Sequence, residues 1–296
     1  MVLTKIHVLP ICIFILIPSS FIITYCIAVY LKHVSFEFPY ISDTGTYVPE
    51  SCIFSQAVNL IAFLMAAFIY VRYKHVEQHY RDHLSSDYSV VLKLNQTALI
   101  VGWMGCFGAS IIANFQETSV IIVHMSGALL AFGCSAIYSW LQTVISHYVC
   151  PFLNSTFVAR LRVFLSLILT ASFVTTLVAG VIARKNFHGK DATKWHPEDG
   201  GFRAHIISTA AEWIVVISFD CFILTFAKEM QKISISSPQV LFCSNDVILE
   251  STEFYNSQEH VNITPNPNSL RISSLPSSPY GDYKKDNILT TQAVVH

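Results

Sequence analysis

Two carboxylic acids stand inside stretches of sequence that otherwise carry almost no charge. Glu212 sits between Ala210-Ala211 and Trp213, and Asp220 follows eight residues later, between Phe219 and Cys221. An ionisable group at membrane depth is costly enough that it calls for a partner or a task. Eight residues carry a helix through two turns and roughly 80° more, so the two acids need not share a face. His124, near the start of another apolar stretch, is the candidate partner of Glu212. Such a pair can share a proton or hold an ion, as histidine does near neutral pH. The plainer reading is a hydrogen bond between helices, which holds a bundle together. His75, His79 and His83 recur every four residues, a spacing that shares one helix face. They read as solvated loop histidines, and no metal site is expected. No GxSxG, Walker loop, HExxH or CxxC occurs in the chain, so the usual motif-borne chemistries have no foothold. Neither a catalytic residue nor a cofactor is expected.

Elements that could position these groups follow from composition. Of 296 residues, 53% are hydrophobic and 12% charged, half the charge of a typical soluble chain; mean hydropathy is +0.50. With a net charge of -1, no basic surplus is available to neutralise phosphates, and nucleic acid is not an expected partner. The eight cysteines are scattered, mostly within apolar runs, where a thiol is a small buried hydrophobe. The spacing predicts an all-α membrane protein with six spans, approximately 8–31, 53–71, 94–113, 121–145, 161–183 and 204–227. Each approaches or exceeds the roughly 20 apolar residues a span requires. The first runs past Pro18 to Leu31, longer than a cleavable signal segment, and reads as a retained helix.

Lys and Arg are expected in the loops, and their distribution predicts orientation. Nine (Lys5, Arg72, Lys74, Arg81, Lys93, Arg160, Arg162, Lys228, Lys232) fall on the side of the N-terminus, and six on the other. Both ends of the bundle are therefore expected in the cytosol. The three Asn-X-Thr sequons, at Asn95, Asn154 and Asn262, then fall where no glycan is added. Residues 233–296, rich in Ser, Asn, Pro and Thr, read as a disordered cytosolic tail, because such composition cannot offset its chain entropy. The domain division is thus a transmembrane domain over 1–232 and a tail over 233–296.

On the opposite face, Pro39-Tyr40-Ile41-Ser42-Asp43-Thr44-Gly45-Thr46 and then Pro49-Glu50-Ser51 are dense in turn formers. So is Trp195-His196-Pro197-Glu198-Asp199-Gly200-Gly201. Both predict short structured lumenal loops, which could meet as a cap. Within the spans, Gly102, Gly105 and Gly108 and the set Gly127, Ala131 and Ser135 form small-residue seams that allow close helix approach.

Several of these segments together resemble the DNA-damage-regulated autophagy modulator (DRAM) family. The resemblance rests on PYISDTGT followed by PES, on Arg72-Tyr73-Lys74, on Ala113-Asn114-Phe115-Gln116, on His124 with Gly127-Ala128, and on AAEW at Ala210–Trp213. It extends over about residues 8–235, leaving the tail apart. It implies a multi-pass protein of lysosomal or late endosomal membrane that promotes autophagy and, through it, cell death. The implied partners are the lipid bilayer and other membrane or autophagy proteins. The candidate functional or structural polar positions are Asp43, Glu50, Asn114, Gln116, His124, Glu212 and Trp213. Two other classes stand beside this reading: a transporter or channel with a proton-linked Glu212/His124 pair, and a lipid-organising membrane protein.

Overall fold

The computed structural model describes residues 2–83 and 89–236. The predicted tail from residue 237 onward, including Asn262, lies outside the described residues. Six long helices account for most of the rest: α1 (Val8–Tyr30), α2 (Glu50–His83), α3 (Ser89–Asn114), α4 (Ile121–Tyr148), α5 (Thr156–Asn186) and α6 (Phe202–Leu224). A single turn, α7 (Ala227–Met230), follows α6. All six are long and apolar enough to cross a membrane. Large apolar side chains such as Ile15, Phe63, Phe107, Phe157 and Ile217 are exposed along them, where a soluble protein would carry charge. The architecture is an all-α six-helix membrane bundle.

Most helices outrun the predicted windows. α2 begins at Glu50 and continues to His83, so His75 and His79 lie on a helix rather than in a loop. Its 34 residues make a rod of roughly 51 Å, well beyond a hydrocarbon core of about 30 Å. Hydropathy marks only the part of a helix that lies in lipid. Among the described residues, no group of three or more His, Cys, Asp or Glu side chains is placed to hold a metal ion.

α3 packs along α4, and α5 along α6; α4 and α5 touch less closely. The α3–α4 contact runs through the predicted seam. A Cβ at Gly108 would come within 2.6 Å of the Ala131 nitrogen and 2.8 Å of the Gly127 oxygen, so only glycine permits this approach. At the ends, Val2–Leu3 pairs antiparallel with Ile235–Ser236. The bundle thus has a terminal face, where both ends of the described chain meet, and a loop face formed by residues 31–49, 115–120 and 187–201. Asn95 is fully buried and donates to the Tyr73 carbonyl. Asn154 is 6% exposed. Neither sequon is presented for modification in the folded protein.

One expectation fails outright. Arg72 and Arg162 are not loop charges: both are 0% exposed inside the bundle. They converge on Glu229, the acid of α7. Arg72 Nη1 donates to one carboxylate oxygen at 2.9 Å and Arg162 Nη2 to the other at 2.5 Å. Gln142 accepts from Arg72 Nε, while Ser146 and Thr225 accept from Arg162. The Phe226 ring lies beneath both guanidinium groups, at 4.9 and 3.5 Å. A cation near the end of a span enters the bundle when a carboxylate and hydroxyls from other helices replace its water.

Candidate functional site

At the loop face, α6 pins the 31–49 loop by two consecutive residues. Glu212 Oε2 accepts from the Ile41 N–H at 2.9 Å, and Trp213 Nε1 donates to the Pro39 carbonyl at 3.2 Å. These bonds join residues 171 and 174 positions apart. The loop then closes on itself: Thr44 Oγ1 donates to the Ile41 carbonyl at 2.7 Å and meets Thr24 Oγ1 of α1 at 3.1 Å. Asp43 opens a single 3-10 turn, Asp43–Gly45, and is 3% exposed, with Oδ2 unpartnered among the described residues. Burial is the main cause that holds the Asp43 carboxyl well above the ordinary aspartate range, and the charges of Glu117 and Glu212 add to it. Arg184 opposes them.

Glu117, between α3 and α4, accepts from Ser42 Oγ at 3.3 Å and pairs with Arg184 at the end of α5 at 3.4 Å. The second loop completes the cap. Thr193 Oγ1 donates to the His33 carbonyl at 3.3 Å. The Trp195 ring stacks on His205 with centroids 4.3 Å apart, and Tyr40 meets the same histidine edge-on at 5.1 Å. The two loops expected to meet do so. Gly201 opens α6 in the left-handed conformation at φ 68°, which glycine adopts without a Cβ clash.

The remaining candidate positions serve separate contacts. His124 Nδ1 lies 2.6 Å from the Phe115 carbonyl. A carbonyl only accepts, so Nδ1 carries the proton, and Nε2 is the acceptor of the neutral ring. Glu212 and His124 therefore have different hydrogen-bond partners, although both line the same cavities. Asn114 forms a knot with Asn59 of α2 and Ser110, at 2.7 to 3.2 Å. The Gln116 carbonyl accepts the turn that leads into α4. Glu50, fully buried in the first turn of α2, pairs with His33. Asp220 is buried, and its Oδ1 has no partner among the described residues.

Two cavities meet at Glu212. One, of about 430 Å3, opens between the outer halves of α4 and α5. The other, of about 140 Å3, runs inward among α1, α2, α3, α4 and α6. Sequence reasoning placed Tyr40 and Trp195 in the structured loops without a role and missed Glu117, Arg184 and His205, which lie in a loop or at helix ends where composition carries no signal of depth.

The segments singled out in sequence are thus brought together at one end of the bundle, with Arg72 at the other. A family model described as the Frag1/DRAM/Sfk1/Cwh43P N-terminal domain matches residues 5–233. The chain belongs to this family. Within it, the chain is similar to human DNA damage-regulated autophagy modulator protein 2, with 39% identity over 77% of this chain and 85% of that one. Human DNA damage-regulated autophagy modulator protein 1 shows 38% identity over 73% and 87%. A relative from Xenopus laevis, modulator of macroautophagy TMEM150B-B, shows 33% identity over 57% and 71%. No solved structure matches the chain.

The Glu212–Ile41 bond yields a first expected result. Glu212→Ala leaves a buried backbone N–H unpaired, a cost of about 1–3 kcal/mol. Glu212→Gln keeps an acceptor oxygen in the same place. Thermal unfolding of the purified protein should therefore fall for Ala and hold for Gln. An equal fall for both would show that the bond requires the negative charge.

Proposed function

We propose that this protein works in the lysosomal or late endosomal membrane, where it promotes autophagy and, through autophagy, cell death. The family match over residues 5–233 carries the reading, because the similar human proteins bear the name autophagy modulator. The six-span bundle supplies the membrane setting. Both chain ends face the cytosol in this reading, and the capped loop face lies in the lumen. The partners are the lipid bilayer and other membrane or autophagy proteins. No catalytic residue is assigned: the loop-face acids are engaged with backbone, arginine or neighbouring side chains, as a scaffold would use them. Asp43, Glu50, Asn114, Gln116, His124, Glu212 and Trp213 act in this reading by fixing the shape of the cap.

Imaging of the protein tagged at its own locus, with autophagic flux measured after its removal, tests the proposal. The expected outcome is a signal on lysosomal membrane and lower flux in its absence. Restriction to the plasma membrane or endoplasmic reticulum, or unchanged flux, would refute it.

A further inference from the structure

The two cavities that meet at Glu212 have unlike ends. The outer one is edged by Met125 and Leu129 of α4 and by Leu177 and Val181 of α5. These four side chains are apolar and more than one-third exposed, so the opening faces lipid rather than water. The Glu117–Arg184 pair stands beside this opening, and Tyr40, Ser42, Ser208, His124 and Glu212 line its depth. Amphiphiles that enter sideways from a bilayer meet this arrangement head first or tail first, with apolar walls throughout.

The inner cavity is long and narrow. His124 and Tyr138 of α4 both line it, and the fourteen helical steps from one to the other span roughly 21 Å. So small a volume, about 140 Å3, drawn out over such a length admits at most one narrow chain. A fused-ring sterol is too broad for it, and a second acyl chain has no room. Ile61, Met65, Ile69 and Phe219 make its wall apolar. Tyr138, 1% exposed with its hydroxyl unpartnered among the described residues, lies at the inner end.

Charge selects the head. Glu117 and Glu212 are the acids that line the polar end, and Arg184 is the countercharge beside them. One of these acids is already neutralised by Arg184. An anionic head would face Glu212 without a countercharge, whereas an ammonium would pair with it. Ser42, Ser208 and Tyr40 supply hydroxyls for a polar group next to the amine. We propose that the joined cavities bind a single-chain amphiphile with a cationic amine head, the amine at Glu212 and the chain running inward toward Tyr138. Lipid enters between α4 and α5. Ala128 lines both cavities and marks the passage between them.

The test uses full-length protein in detergent or lipid nanodiscs, independently of any autophagy readout. A photoreactive long-chain primary amine is compared with the carboxylic acid of the same chain, a diacyl phosphocholine probe and a sterol probe. The amine should label peptides of α4 and α6, and excess unlabelled amine should compete it away. Glu212→Gln should weaken amine binding about tenfold, the effect of losing one charge-assisted hydrogen bond, with thermal stability unchanged. Ala128→Phe should abolish inner labelling by filling the passage. Equal labelling by acid and amine, preferential labelling by the sterol or the diacyl probe, or labelling indifferent to Glu212→Gln would each overturn the proposal. If Ala128→Phe does not fold, the isosteric Glu212→Gln comparison still decides the outcome.

Discussion

Glu229→Ala is expected to be the most damaging single substitution in the bundle. It strands two guanidinium groups, each 0% exposed, beside a ring and three neutral oxygens. Breaking a buried ion pair from one side costs about 3–5 kcal/mol, and here one residue breaks two. Glu229→Gln should fare little better, because an amide offers one oxygen where two cations were answered. The converse is equally specific. Replacing Arg72, Arg162 and Glu229 together by Met, Leu and Leu should restore much of the lost stability, since well-packed apolar groups commonly match a buried ionic triad. Thermal unfolding in detergent, with abundance in cells, reads both outcomes. A Glu229→Ala protein as stable as the parent would mean that water reaches the arginines. A triple variant worse than the single one would mean that the triad supplies net stability.

The second large effect concerns pH. Asp43 is buried in the loop-face cap, outside the spans, with its carboxyl raised well above the usual range by burial first and by Glu117 and Glu212 second. A raised carboxyl binds its proton more tightly when folded than when unfolded. Its contribution is therefore fully present below the ordinary aspartate pKa and is lost as pH rises through the folded value. The cap should be tightest in acid and loosen toward neutrality. Asp43→Asn imitates the protonated acid at every pH. The difference in melting temperature between Asp43→Asn and the parent should be small near pH 4 and favour Asn near about pH 7. Taking that difference removes the other titrating neighbours, His33 with Glu50, His124, Glu117, Glu212 and Tyr40, insofar as both proteins share them. A difference that did not change with pH would show that Asp43 remains charged in the fold.

The six spans were legible because twenty apolar residues in a row have few alternatives in water. Glu212 and Trp213 were legible as unusual residues in an apolar run, yet their partners were not. A hydrogen bond to Ile41 N–H, 171 residues away, leaves no trace in local pattern. The suggested partner His124 was near in space but engaged to Phe115. Arg72 and Arg162 misled for a related reason. Charge near a span end usually means a solvated loop, and the acid that draws both into the bundle, Glu229, stands beyond the last predicted span. Arg162 lay just inside the fifth predicted window, and that position was the available signal. The α2 extension to His83 was hidden because a helix leaving the membrane exchanges its apolar pattern for Glu77, Lys74 and Arg81 pairs.

The short ladder joining residues 2–3 to 235–236 sets the two ends of the described bundle side by side, so its helices follow one another around a closed path. Along such a path the starting point is arbitrary. A chain opened instead in the turn after α4, on the same face, and spliced across the ladder would keep every helix neighbour and every direction of crossing. The order in which spans leave the ribosome would change while the final contacts would not. The bundle's architecture is thereby separated from its order of synthesis. The α3–α4 seam, the α5–α6 pairing and the Arg72–Glu229–Arg162 lock would all form from either starting point.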